Sequence, residues 1–286
     1  MNPHVESFFD EATFTWTHVV WSATGGPAAI IDPVLDFDPA SGRTGTSAAQ
    51  RVLDFVRSQD LQVSWILETH AHADHLTAAA WLKAQTGAKV AIGAGITQVQ
   101  TRFKALFGLP SDFPTDGSQF DRLLRDGEQL EIGPLRVDVL ATPGHTDDSL
   151  SYRIGNAVFI GDTLFAPETG TARVDFPGGD AHKLYASIQR LFDLPADTRV
   201  FLCHDYPQGR PASAETTVAT QQAHNIHVGE GRSEAEFVQL RKARDATLAA
   251  PRLILPSLQV NIRAGELPPA DANGIRYLRL PLNQFG

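Results

Sequence analysis

Three histidines and an aspartate crowd into six positions, His70-Ala71-His72-Ala73-Asp74-His75. Imidazole nitrogens and carboxylate oxygens at this density read as a metal site, and the pairing suits zinc or iron at neutral pH. Residues two apart in an extended segment point to the same side, so His70 and His72 are expected to converge on one ion. Once the chain turns, Asp74 and His75 face a second position. Further donors follow in similar settings: His145 in the loop 141–149 (ATPGHTDDS), Asp162 after AVFIG, and His204 in RVFLCHDY. Gly144 and Gly161 directly precede two of them and let the backbone bend close. The single cysteine, Cys203, excludes an intrachain disulfide and any thiolate-rich zinc or iron–sulfur site. His4, His18 and His182 stand alone and read as surface or hydrogen-bonded core residues. His224 and His227 are more ambiguous, since their helical spacing leaves a ligand role open beside the surface or core one.

The elements that must carry these groups alternate between strand and helix. Residues 14–22 and 28–32 are β-branched and aromatic around Gly25-Gly26-Pro27, which predicts a hairpin-like pair. Residues 47–58 have helical spacing, with Ser47 and Gln50 as a capping box. A buried strand is expected at 62–69, directly before the histidine cluster, then a helix over about 75–86 and a strand at 89–93. Strands broken at Gly133-Pro134 cover 129–141, and a hairpin turns at Gly155-Asn156. Asp180 caps a helix running to 192. A strand covers 199–206, and helices cover 214–224 and 233–247. The polar clusters therefore sit where strands end, as sites on helix-covered sheets do.

Bulk properties narrow the function class. A net charge of −9 without a basic cluster is a poor match to nucleic acid or an anionic membrane. No apolar run is long enough to span a bilayer. The opening MNPHVESFFDEATF lacks the pattern of a signal peptide. A cytoplasmic location is the expectation, and a homodimer is the default assembly.

HAHADH, TPGHT and IGDTLF in this order, with His204 after a strand, resemble the metallo-β-lactamase superfamily over about residues 12–206. The resemblance implies an α+β fold, a four-layer αβ/βα sandwich of two mixed sheets flanked by helices, with the site at the sheet edge. Residues 1–286 are expected to form one such domain, with a C-terminal helical extension over about 207–286. Within the superfamily, GTARVDFPGGD at 170–180 is similar to the persulfide dioxygenases through Arg173, Asp175 and Phe176. It departs from them at Thr171 and Ala172, where that branch has Cys and Gly. His204-Asp205-Tyr206 and the C-terminal stretch are also similar to that branch.

This resemblance implies one Fe(II) per chain held by His70, His145 and Asp162, which leaves coordination positions open. His72, Asp74, His75 and His204 would support those ligands or form a second metal position. Tyr206, Arg173 and Asp175 would be the catalytic side chains, Tyr206 donating a hydrogen bond to substrate or oxygen and Arg173 and Asp175 pairing to shape the pocket, and Arg210, Arg241 and Lys242 would meet the carboxylates of glutathione. The implied reaction oxidises glutathione persulfide with O2 to sulfite and glutathione. The same ligands also resemble glyoxalase II, in which two zinc ions support hydrolysis of a glutathione thioester.

Overall fold

In a computed structural model, which describes residues 1–284, the chain opens with β1 (His4–Asp10), β2 (Thr15–Trp21) and β3 (Pro27–Ile31). The ribbon β4 (Val34–Asp38) and β5 (Arg43–Gly45) leads into α1 (Ser47–Ser58), β6 (Gln62–Leu67) and the short β7 (Leu76–Thr77). Then come α2 (Ala79–Thr86), β8 (Lys89–Gly93), α3 (Ile96–Leu106) and β9 (Arg122–Leu124). A meander follows: β10 (Gln129–Ile132), β11 (Leu135–Ala141), β12 (Leu150–Ile154) and β13 (Ala157–Phe159). The chain continues through α4 (Ala181–Phe192), β14 (Arg199–Phe201), β15 (Glu215–Thr217), α5 (Val218–His224), α6 (Glu234–Asp245) and α7 (Ile254–Asn261). The last two positions of the expected extension, 285–286, lie outside the described residues.

Two six-stranded mixed sheets result. One has the order β1-β2-β3-β6-β8-β9, antiparallel at the β1 edge and parallel from β3 onward. The other runs β10 to β15 in sequence order, with β13 and β14 the parallel pair. Strand alternation sorts neighbouring residues into different cores. Val20, Ile31 and Leu67 point inward against Val137, Tyr152 and Phe159 of the other sheet. Their neighbours Val19, Ile30 and Ile66 point outward against Val52 of α1, Leu82 of α2 and Phe103 of α3. On the far side, Val158 and Val200 meet Leu184 and Ile188 of α4 and Phe237 of α6. Helix, sheet, sheet and helix layers make this a metallo-β-lactamase fold of the α+β class, as expected.

Several local expectations change. The Ser47–Gln50 capping box does not form; Thr46 is the N-cap, and the Asp36 carboxylate accepts from the amides of Ser47 and Ala48 instead. The helix expected from about 75 begins at Ala79, because Leu76 and Thr77 pair with β4. The strand at 199–206 ends at Phe201, so His204 lies beyond it. The helix expected over 214–224 gives its first residues to β15. By contrast, Asp180 caps α4 through the amides of His182 and Lys183, as expected. No helix among the described residues is long and apolar enough to cross a membrane.

Candidate metal centre

Four loops bring the polar residues together, each leaving the C-terminal end of a strand: after β6 (68–75), β11 (142–149), β13 (160–163) and β14 (202–206). Two glycines allow this approach. Gly144 has φ 139° with α4 packed against it, and a Cβ there would overlap the Leu184 backbone. Gly161 has φ 51°, and a Cβ there would run into the Thr69 side chain.

The donors fall into two adjacent sets. His70, His145 and Asp162 form one, and His72, Asp74, His75 and His204 form the other; within each set the donor atoms lie within 4.8 Å of one another. Asp162 stands between the sets. Its Oδ2 lies 3.9 Å from His70 Nε2 and 3.7 Å from His145 Nε2, and its Oδ1 lies 3.4 Å from His204 Nε2. His204 Nε2 is also 3.1 Å from Asp74 Oδ2. His72 therefore sides with the second set rather than sharing one ion with His70. The chain bends from Thr69 onward, so the two-residue alternation of a strand no longer applies.

Each imidazole is anchored at one nitrogen. His145 Nδ1–H donates to the Arg173 carbonyl at 2.8 Å. His72 Nε2–H donates to Asp32 Oδ1 at 3.0 Å. His70 Nδ1 meets Thr69 Oγ1 at 3.1 Å, and Thr69 in turn donates to Asp32 Oδ2. His204 Nδ1–H donates to the Phe14 carbonyl at 3.2 Å. The opposite nitrogens are buried without a hydrogen-bond partner: His70 Nε2, His72 Nδ1, His75 Nε2 and His204 Nε2, together with Asp162 Oδ1. Buried polar atoms are ordinarily satisfied. Five orphans converging on one place fit a cation bound there, with the far nitrogens held as metal-ligating histidines hold theirs.

The electrostatics agree. Burial pushes His70 and His72 well below the usual histidine range, which keeps them neutral and ready to donate lone pairs. Burial alone would raise Asp74, but His204 and His75 beside it leave it ionised, below its ordinary value. Burial also opposes charge on His204, yet the carboxylates of Asp162 and Asp74 outweigh it and raise that residue. Burial raises Asp162 in the absence of a cation.

A cavity of about 500 Å³ opens over the donors. Tyr206 lines it, its ring nearly parallel to that of His204 at 6.0 Å. Burial and the nearby Asp74 and Asp162 push its phenol up, so the hydroxyl stays a donor. Arg173 also lines it, paired with Asp175 through two contacts of 2.6 Å and donating to the Ala249 carbonyl. Asp175 is not on the wall; it fixes Arg173.

The expected glutathione contacts need correction. Arg241 is on the wall, but its guanidinium is buried, ion-paired to Asp245 and donating to the Thr171 carbonyl. Lys242 is exposed and off the wall, because the next position on a helix faces away. Arg210 is also off the wall, clasping Asp205 and Glu168. Arg244 lines the cavity instead. Among the lone histidines, His18 is a buried residue bonded to Ser7 and the Leu202 carbonyl, and His227 accepts the Thr171 amide.

Sequence reasoning missed the anchors. Asp32 holds His72 and Thr69, and Asp148 accepts the Ala71 amide. Asn261 of α7 donates to the carbonyls of His72 and His75. Asp32 and Asp148 had a usable signal, an acid just past a strand or within the His145 loop. Asn261 had none.

The profile of the metallo-beta-lactamase superfamily matches residues 11–204. The "Beta-lactamase hydrolase-like protein" of Agrobacterium fabrum is 52% identical over 98% of this chain, which spans 65% of that relative's length. "Glyoxylase B2" of Dictyostelium discoideum is 46% identical over 98% of this chain and 97% of its own. The mitochondrial "Persulfide dioxygenase ETHE1" of Bos taurus is 27% identical over 71% of this chain and 68% of its own. Among solved structures, ETHE1 from Myxococcus xanthus superposes with a TM-score of 0.74 at 32% identity, covering 92% of this chain and 100% of that one. The chain belongs to the metallo-beta-lactamase superfamily.

Proposed function

We propose that this protein is a persulfide dioxygenase that holds one Fe(II) through His70, His145 and Asp162 and converts glutathione persulfide, O2 and water to glutathione and sulfite. The observation that carries this reading is the 170–176 segment at the site. The Arg173 carbonyl fixes the His145 tautomer, while the Arg173 side chain, locked to Asp175 and lying 4.9 Å over the Phe176 ring, forms the cavity wall. The likeness to the Myxococcus ETHE1 structure over nearly the whole chain supports it. Bound iron would supply open coordination positions and the redox capacity that the reaction of a persulfide with O2 needs.

The chain's own groups do the rest. His70 and His145 present neutral nitrogens, and Asp162 supplies the negative charge. His72, Asp74, His75 and His204 orient those ligands. Tyr206 offers its hydroxyl to the persulfide sulfur, and Phe165 and Phe176 shield the cavity from water. Residues 1–286 are read as one domain, since α7 reaches the ligand loop through Asn261. A cytoplasmic homodimer is part of the same reading; the free, buried Cys203 suits a reducing compartment.

A second reading has its own support. The two donor sets, with Asp162 between them, could hold two zinc ions and support hydrolysis of a glutathione thioester, and the Dictyostelium relative carries a glyoxylase name. Elemental analysis of anaerobically purified protein, paired with oxygen uptake on adding glutathione persulfide, separates the two. About one iron per chain with rapid uptake is the expected result. Two zincs, no uptake and cleavage of lactoylglutathione would replace the dioxygenase with the hydrolase.

A further inference from the structure

One hydroxyl touches two of the buried imidazoles. Thr15, the first residue of β2, is buried, and its Oγ1 lies 3.4 Å from His75 Nδ1 and 3.3 Å from His204 Nδ1. His204 Nδ1 has the Phe14 carbonyl as a further acceptor, and His75 Nδ1 has Asp74 Oδ1 at 3.4 Å as an ion-pair contact. A hydroxyl and a neutral imidazole nitrogen can each donate or accept, so the contacts of Thr15 do not by themselves fix which atom carries the hydrogen. The direction is set further out. Asp10, the last residue of β1, is paired with Thr15 across the hairpin. One oxygen of its carboxylate, Oδ2, accepts the Thr13 amide at 2.9 Å and the Thr13 hydroxyl at 2.7 Å. A carboxylate only accepts, so the Thr13 hydroxyl hydrogen is committed there. Thr13 Oγ1 can then only accept from Thr15 Oγ1, 2.9 Å away. The Thr13 carbonyl, 3.4 Å from Thr15 Oγ1, draws the same hydrogen toward Thr13. Thr15 is left with two lone pairs, one for each imidazole.

We infer that Asp10, Thr13 and Thr15 form a positioning relay that fixes the tautomer of His75 and, together with the Phe14 carbonyl, that of His204. A half-buried carboxylate at the end of the hairpin thereby decides which imidazole nitrogens a bound cation meets. Both rings carry hydrogen on Nδ1, facing Thr15. Both turn a bare Nε2 toward the second donor set, and these are two of the atoms that are buried without a partner. The outer hydrogen bond of a metal-binding histidine ordinarily sets its tautomer and orientation. Here that role falls to residues 10–15, about sixty positions before His75 and nearly two hundred before His204. The relay goes beyond the persulfide reading and serves one iron or two zincs alike.

The test reads the ring nitrogens directly, by long-range proton–nitrogen NMR correlation of the metal-free protein at about pH 8.5, above the ordinary imidazole range. In wild type, His75 should carry its hydrogen on Nδ1 and leave Nε2 bare. Thr15→Val removes the shared acceptor. Asp10→Ala frees the Thr13 hydroxyl to donate inward, so that Thr15 can donate to His75. Both variants should shift His75 toward the tautomer with hydrogen on Nε2, while His204, still facing the Phe14 carbonyl, keeps its Nδ1 hydrogen. Thr15→Ser and Asp10→Asn retain the needed acceptor oxygen and should restore the wild-type pattern. Chelator competition should show Zn(II) bound about tenfold or more weakly in Thr15→Val than in Thr15→Ser. A merely structural role for Thr15 would lower stability in urea and leave the ring nitrogens as they are in wild type. Hydrogen on His75 Nε2 in wild type, unchanged nitrogens in Asp10→Ala or in folded Thr15→Val, or equal zinc affinity of the two Thr15 variants overturns the relay. If Thr15→Val does not fold, Asp10→Ala decides. None of these readouts needs turnover, so the relay stands or falls apart from the dioxygenase.

Discussion

Each imidazole of the cluster is held at one nitrogen and open at the other, yet the histidines and acids do not contribute equally. His70 faces Asp162 Oδ2 together with His145, whereas Asp74 lies in the neighbouring set, against His75 and His204. In the one-iron reading, His70→Ala removes a ligand and should leave no stoichiometric iron and no oxygen uptake. Asp74→Ala removes a group that orients ligands, and should weaken iron affinity by about 10- to 100-fold while most iron stays bound at saturating metal. Metal-to-protein ratios after desalting check both. Full iron retention in the first variant, or loss of all metal in the second, would mean the ion sits elsewhere or that two ions share the site. The donors were legible in the sequence because their types are rare in packing and recur at strand ends. Their division into sets was not legible, since it depends on how the chain bends after Thr69. Nor was the engagement of Arg241, whose partners Asp245 and the Thr171 carbonyl come from helix and loop packed together.

At the scale of elements, the geometry depends on how closely α4 approaches the His145 loop. The Asp180 amide donates to the Gly144 carbonyl at 2.8 Å, and the first turn of α4 occupies the space where a Cβ of residue 144 would stand. Gly144→Ala must therefore shift a helix end, at φ 139°, and should cost about 2–4 kcal/mol of stability. Gly87, at φ 73° with nothing within 4 Å of its would-be Cβ, supplies the control. Its alanine variant should lose only about 1–2 kcal/mol, the cost of a left-handed alanine. Urea unfolding of both variants measures the difference; equal losses would mean that α4 moves aside freely. Elements with strong local signals, such as α1 and α4, were readable to within a residue at most of their ends. The helix α3 was not, because Gly95 provides no side-chain cap and Gln100 occupies a position on its buried face. That glutamine bonds the Ile262 carbonyl, Gln119 and the Gly117 amide, partners distant in sequence.

Across the whole molecule, the C-terminal part meets the N-terminal ligand loop through apolar packing of Ile254 and Leu258 and through one polar side chain that bonds the loop's backbone. Asn261, at the end of α7, donates from Nδ2 to the carbonyls of His72 and His75, each at 2.8 Å, and accepts the Thr77 amide at 2.9 Å. All four residues are buried. No window of sequence reveals a contact spanning about 185 positions, so the hold of α7 on the ligand loop was not legible. Asn261→Ala should leave two carbonyls and one amide without partners, at about 1–3 kcal/mol for each group that water does not reach. It should also free the loop that aims His72 and His75, lowering metal affinity by about 10- to 100-fold. Asn261→Asp keeps an acceptor for Thr77 but sets a carboxylate oxygen against two carbonyls, so it should bind metal no better than the alanine variant. Chelator competition read beside urea unfolding separates the two effects. If stability falls while metal affinity holds in both variants, α7 supports the fold alone. If affinity falls further than stability accounts for, the C-terminal segment is part of the machinery that presents the histidines.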